Sequence, residues 1–254
     1  MRVARFGNVE SNMTFTGHPR ALARVAGAFY LVIIALALFG YTYVRSHLII
    51  PSDMAQTATN IAAHEQLYRV GFTAAVIVII CNLPLGLILF ELLKVVNPRL
   101  ALLALLYIVV AATIEAVNVF NYMTPLFTLT LPEYASAFRP DQLQALARGA
   151  NRLFGYAFTV SLTFFGVFCV LTGYLIVRSK FLPAIIGVLM VAAGVYHWID
   201  SFVVFLALPQ PPGLFRWITL IAELSLALWL LIVGVREAEW RAQVQALQGS
   251  SARL

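Results

Sequence analysis

Charge is scarce in this sequence. Only 11% of its 254 residues are charged, against 61% hydrophobic, where a soluble domain carries about a quarter charged residues. That shortage excludes a soluble enzyme, a nucleic-acid binder and a disordered chain. Cysteine is nearly absent too. The two thiols, Cys81 and Cys169, sit inside apolar runs and read as packed side chains, not as a disulfide framework or a metal clip. No phosphate-binding glycine loop, GxSxG, HExxH or pair of transmembrane histidines for haem is present, so no familiar catalytic constellation is available. No long polar segment is left over to fold as a separate soluble domain. Net charge is +6 and the pI about 9.6, but the basic residues are scattered and form no cluster, which argues against nucleic acid.

What is present is long apolar runs, reflected in a mean hydropathy of +0.88. A helix needs about 20 apolar residues to cross some 30 Å of hydrocarbon. Six stretches meet that length: 22–44, 71–93, 100–122, 154–177, 183–206 and 217–235. None alternates as a β-barrel strand does. The polar first 20 residues and the long run after them do not fit a cleaved signal. The expected fold is therefore all-α: a polytopic membrane protein of six transmembrane helices, with tails at 1–21 and 237–254 flanking a membrane domain at 22–236.

Orientation follows from Lys and Arg. Placing the N-terminus inside assigns Arg2, Arg5, Arg20, Arg24, Lys94, Arg99, Arg178, Lys180, Arg236, Arg241 and Arg253 to the inner side. Arg45, Arg69, Arg139, Arg148, Arg152 and Arg216 then fall outside. The inner excess predicts cytoplasmic termini in the cytoplasmic membrane. Two outer connections, residues 51–70 and 139–153, have helical apolar spacing and predict short amphipathic helices. Asp53 followed by Gln56 suits a capped start for the first, and Pro140–Asp141 suits a first turn for the second. A fragment recurs in the two halves, GYTYVRS at 40–46 and GYLIVRS at 173–179. Three-span repeats would have to be inverted, a common transporter construction.

Ionisable groups within spans are costly unless paired, so each is a functional candidate. They are Glu115, His197, Asp200 and Glu223, joined by the uncharged Asn82, Asn118 and Asn121. At 1.5 Å per residue the four ionisable groups fall in one layer about 20–24 Å from the inner surface, and His197 and Asp200, three apart, share a helix face. Glu115, Asn118 and Asn121 form a polar stripe. The expected site gathers Glu115, Asn118, His197, Asp200 and Glu223 around a small solute, an ion or a proton. Asn82 and Pro84 mark a helix kink in the second span.

Three functions compete on these residues. One is a proton- or ion-coupled transporter or ligand-binding membrane protein. Another is a membrane subunit or structural partner whose polar cluster only fixes helix packing. The third, a metal-dependent membrane enzyme using His197, Asp200 and Glu223, lacks the usual ligand spacing. No particular cofactor is indicated. The bilayer is the partner the composition requires.

Several stretches, in order along the chain, resemble the bacterial membrane family called domain of unknown function 4386. They are ARVAGAFYLVIIALALFGYTYVRSHLIIPSD (23–53), TATNIAAHEQLYRVG (57–71), LFELLKVVNPRLALLALL (89–106), FFGVFCVLTGYLIVRSKFLPAIIGVLMVAAGVYHWIDSF (164–202) and AELSLALWLLIVGV (222–235). The resemblance implies a multi-pass bacterial membrane protein and brings no mechanism. Asp200 and Glu223 lie within the similar stretches, whereas Glu115 lies outside them.

Overall fold

A computed structural model describes residues 17–209 and 216–251. Ten α-helices follow in chain order: α1 Pro19–Ala37, α2 Arg45–Leu48, α3 Met54–Ala63, α4 Glu65–Leu93, α5 Pro98–Thr130, α6 Pro132–Ala137, α7 Pro140–Arg178, α8 Ala184–Phe205, α9 Arg216–Ile232 and α10 Glu237–Ser251. A π-helical segment, Leu38–Val44, joins α1 to α2 and makes Pro19–Leu48 one continuous rod. Of the charges assigned by sequence, Arg2, Arg5 and Arg253 lie outside the described residues.

Among the described residues five rods are long and apolar enough to cross a membrane: Pro19–Leu48, α4, α5, α7 and α8. The shorter α9 is followed by a 98° bend into α10. Its position nevertheless makes it a sixth element of the same layer, because it runs antiparallel to α1. Gly27 packs against the backbone of Ala227 and Leu231 near one end, while Thr42 and Trp217 line a common crevice near the other. Apolar side chains face outward as well as inward, among them Phe120 at 72% exposure and Val117 at 67%. That distribution suits lipid and would be unfavourable in water.

The helices form a closed ring. α1 packs on α4, α4 on α5, α5 on α7, α7 on α8 and α8 on α9, and α9 returns to α1. Short connections between antiparallel neighbours give this order directly. Because lipid provides little hydrophobic drive between helices, close backbone approach has to hold them together. The α7–α8 seam shows it. Gly166 faces Gly194 and Gly173 faces Gly187, so that a Cβ on Gly173 would stand 2.5 Å from the Gly187 carbonyl oxygen, and one on Gly194 2.5 Å from that of Gly166.

The two ends of the ring differ. At one, here the basic end, Gly234 has a positive φ of 77° and ends α9. α10 then turns across the bundle, with Trp240 fully buried and its indole Nε1 donating to the Leu92 carbonyl at 3.1 Å. The Arg236 amide donates to the Phe181 carbonyl, and Lys94 pairs with Glu91 at 2.7 Å. At the opposite, capped end lie the two short helices outside the core, α3 and α6. Asp53 caps α3 by accepting from the Gln56 amide at 2.9 Å.

The other amphipathic stretch, 139–153, is not a separate helix. It forms the first turns of the 39-residue α7. No proline interrupts residues 141–178, so the helix continues out of the apolar layer with its turns in phase. The C-terminal tail likewise carries a helix, α10.

Candidate functional site

The interior of the ring holds a cavity of about 200 Å³ to which all six elements of the ring contribute. α1 and its π-helical extension supply Tyr30 and Tyr41, α4 supplies Asn82, and α5 supplies Glu115. α7 adds Ser161 and Phe165, α8 His197, and α9 Glu223. Roughly 30 Å³ per water molecule makes this room for about six waters or one small solute.

Its polar groups are incompletely paired. The Tyr41 hydroxyl donates to Glu115 Oε2 at 3.5 Å, a long bond, while Glu115 Oε1 has no hydrogen-bond partner. His197 Nε2 lacks one as well and stands 4.0 Å from Glu223 Oε1. The buried Tyr30 hydroxyl faces Glu223 without a regular hydrogen bond. Buried polar atoms are nearly always satisfied, so three unpaired ones on residues lining one cavity are informative. Aromatic faces complete the lining. Tyr41 packs on Phe158 at 5.1 Å, and the edge of Phe165 meets the His197 ring at 5.6 Å.

Local structure explains how these groups arrive. Tyr30, Ile33, Ala37 and Tyr41 fall at helical spacing on one face of α1. The π-helical turn Leu38–Val44 begins immediately after Ala37 and presents Tyr41 toward Glu115. Such turns are frequent at functional sites. Above it, the Tyr122 hydroxyl donates to the Gly40 carbonyl at 3.1 Å. The Arg45 guanidinium lies over the Phe154 ring, 4.0 Å from its centroid, and donates to Asn151. These contacts fix the π-helical segment to α5 and α7.

The sequence candidates separate. Glu115, His197 and Glu223 share the cavity, and Asn82, expected as uncharged intramembrane polarity and part of a kink, lines it too. α4 runs through Pro84 as one helix. Asn118 is buried beside Glu115, where it donates to the Phe154 carbonyl at 3.1 Å and ties α5 to α7. Asn121 donates to Asn118 in turn. Asp200 is half-buried and stands outside the cavity wall. Three residues along a helix is a rotation of 300°, so Asp200 sits about 60° round the helix from His197. Among the described residues no group of three His, Cys, Asp or Glu is placed to hold a metal ion. The trio His197, Asp200 and Glu223 therefore does not assemble as a ligand set.

Sequence reasoning missed Tyr30, Tyr41 and Ser161. The tyrosines were findable: they sit eleven residues apart, three helical turns, on an otherwise apolar face. Ser161 carried no signal, because a serine in an apolar helix more often bonds its own backbone. Here its Oγ donates across to the Ala111 carbonyl at 3.1 Å.

Glu223 also lines a second space. A crevice of about 430 Å³ between α1 and α9 is bounded by Ile34, Ala37, Leu38, Thr42, Trp217, Thr219, Leu220 and Glu223. Ala37 and Glu223 belong to both walls.

Comparison with known proteins gives one relationship. No curated protein matches the chain, and no solved structure does. The family model described as domain of unknown function DUF4386 matches residues 25–234, a range that includes every cavity-lining residue named above. The chain belongs to the DUF4386 family.

Proposed function

We propose that this protein is a small-solute-binding membrane protein, and through that binding a proton- or ion-coupled transporter, with the central cavity as its site. The observation that carries the reading is that three unpaired buried polar atoms, the Tyr30 hydroxyl, Glu115 Oε1 and His197 Nε2, belong to residues lining one cavity. Two carboxylates and an imidazole line the space, with no Lys or Arg beside them among the described residues. The lining favours a cation or a proton donor and disfavours an anion. Intramembrane carboxylates in this setting are the usual carriers of coupling protons.

The orientation proposed with this reading puts the basic end in the cytoplasm of a bacterium. Arg20, Arg24, Lys94, Arg99, Arg178, Lys180, Arg236 and Arg241 belong to that end, against Arg45, Arg69, Arg139, Arg148, Arg152 and Arg216 at the capped one.

A purely structural role, as a membrane subunit, draws support from the side chains that bolt helices together: Asn118 to Phe154, Ser161 to Ala111, and Trp198 to the Thr163 carbonyl. One experiment separates the two. The purified full chain is titrated with ammonium, tetramethylammonium and sodium by calorimetry, beside Glu115→Gln and Glu223→Gln. The binding reading expects saturable uptake of at least one cation, weakened about tenfold, or about 1.4 kcal/mol, by each substitution, with little change in melting temperature. Absence of saturable binding, together with melting temperatures that fall in both variants, overturns it in favour of the structural role.

A further inference from the structure

One of the acids that line the central cavity also borders a space at the side of the bundle. Glu223 keeps 18% of its side chain exposed, and that exposed edge borders the α1–α9 crevice. The crevice reaches the surface of the bundle, where Leu38 and Trp217 are 46% and 59% exposed. It shares Ala37 and Glu223 with the cavity, so these two side chains border both spaces. From these observations we infer that the crevice between α1 and α9 is the lateral access route to the central cavity, and that Glu223 at its neck selects small organic cations over anions.

Three features support the route. The wall on the α1 side includes the π-helical residues Leu38 and Thr42, and a π-helical turn can relax toward α-helical register with little cost compared with breaking a regular helix. The crevice is mostly apolar, with Ile34, Ala37, Leu38, Trp217 and Leu220 around a single carboxylate. A solute with a hydrocarbon body and one positive charge matches that pattern: its body lies against the apolar wall while its charge meets Glu223. Beyond the neck, Tyr30, Tyr41, Phe158 and Phe165 present ring faces and edges beside Glu115, and aromatic faces stabilise cations that have shed water. Among the described residues no Lys or Arg lines either space, which favours a cation over an anion along the route.

This inference names the solute class and the path for the cavity proposed above, and it rests on that reading. Its test measures access, not affinity. Ala112→Cys puts a thiol on the cavity wall, and Ser161→Cys, nearly isosteric, puts a second one there if the first variant folds poorly. The full chain in detergent is treated with the cationic 2-aminoethyl or the anionic 2-sulfonatoethyl methanethiosulfonate, and modification of the introduced cysteine is followed by peptide mass with Cys81 and Cys169 retained. Leu220 lines the crevice and not the cavity. Leu220→Trp should slow cationic labelling about tenfold, and Thr42→Trp on the opposite wall should act alike. The cationic reagent should react about tenfold faster than the anionic one, and Glu223→Gln should remove most of that preference. Labelling that ignores both tryptophans overturns the route while leaving the cavity reading intact. Equal rates for the two reagents overturn the selection. An introduced thiol that neither reagent reaches overturns the route as well, whereas the cation titration above is what decides the cavity reading.

Discussion

His197 Nε2 and Glu223 Oε1 face each other at 4.0 Å between the neighbouring helices α8 and α9. The distance is too long for a hydrogen bond and short enough for strong coupling in a dry interior. An arrangement optimised for stability would close this gap or replace both groups with hydrocarbon. Keeping two polar groups apart in an apolar layer costs stability, which is expected where the space between them is used. The double substitution His197→Phe with Glu223→Leu should therefore leave the melting temperature in detergent unchanged or raise it, while abolishing cation binding. The single change Glu223→Leu leaves His197 facing hydrocarbon and should be the less stable of the two. If the double variant melts far below the parent, the pair is structural.

The α7–α8 seam predicts a sharp contrast among glycines of one helix. A Cβ at Gly173 would meet the Gly187 carbonyl oxygen at 2.5 Å and backbone of Val191 at 2.8 Å, whereas one at Gly149 would meet nothing within 4 Å. Gly173→Val should force the helices apart and cost about 2–3 kcal/mol or more. Gly149→Ala, in the same helix but facing open space, should stabilise by about 0.5–1 kcal/mol through helix propensity alone. Equilibrium unfolding in mixed detergent micelles reads both. Equal effects would mean that the seam is not tightly packed.

Much of this architecture could be read in the sequence, and the reasons differ by feature. The six apolar stretches were legible because lipid enforces a long uninterrupted run; four fall within a helical rod, 183–206 overruns α8 by one residue at each end, and 217–235 runs three residues past α9. Their true ends were not. α4 begins at Glu65, six residues before the apolar run, and α5 continues to Thr130, eight residues beyond it, because water beyond the layer does not by itself end a helix. The glycines at 166, 173, 187 and 194 stand seven apart within each helix, a pattern visible in advance. Ring closure between α1 and α9 leaves no local trace, since it joins the first and last spans. At the site, Glu115, His197 and Glu223 were legible as rare intramembrane charges. Asp200 was grouped with them on a spacing of three, too coarse to resolve a 60° rotation around the helix. Tyr30 and Tyr41 went unread because aromatic residues are common in membrane spans and their polar ends carry meaning only once a neighbour is known.

At the basic end, Trp240 is the side chain that holds α10 against the ring. It is buried to 2% exposure and donates to the Leu92 carbonyl of α4. Trp240→Phe should lose the hydrogen bond and little else, at about 1 kcal/mol. Trp240→Ala should cost about 3–5 kcal/mol at the site and release α10. Limited proteolysis should then cut within Glu237–Ser251 in the alanine variant while the rest of the chain stays resistant. Proteolysis that instead spreads through α1 and α4 would show that α10 is part of the folding unit.

At the capped end, Asp141 in the first turn of α7 predicts an acid-sensitive helix start. The Arg139 guanidinium donates to both its carboxylate oxygens, at 3.1 and 3.0 Å, and these bonds hold the Asp141 carboxyl below the usual carboxylate value. The folded state therefore binds this proton more weakly than the unfolded chain does. Its contribution is present at neutral pH, above the unfolded value of about 3.9, and is lost as pH falls through the lower folded value. Both side chains are well exposed, at 73% and 68%, so water screens the pair and the effect is small and local. Hydrogen exchange at the first turn of α7 should accelerate on acidification in the parent chain. In Asp141→Asn it should be faster already at neutral pH and respond less to acid. The Arg139 amide bond to Gln142 Oε1, at 3.0 Å, does not titrate, so α7 should keep part of its N-terminal protection in both proteins. An Asp141→Asn variant with the acid response of the parent would assign that response to another group at this end.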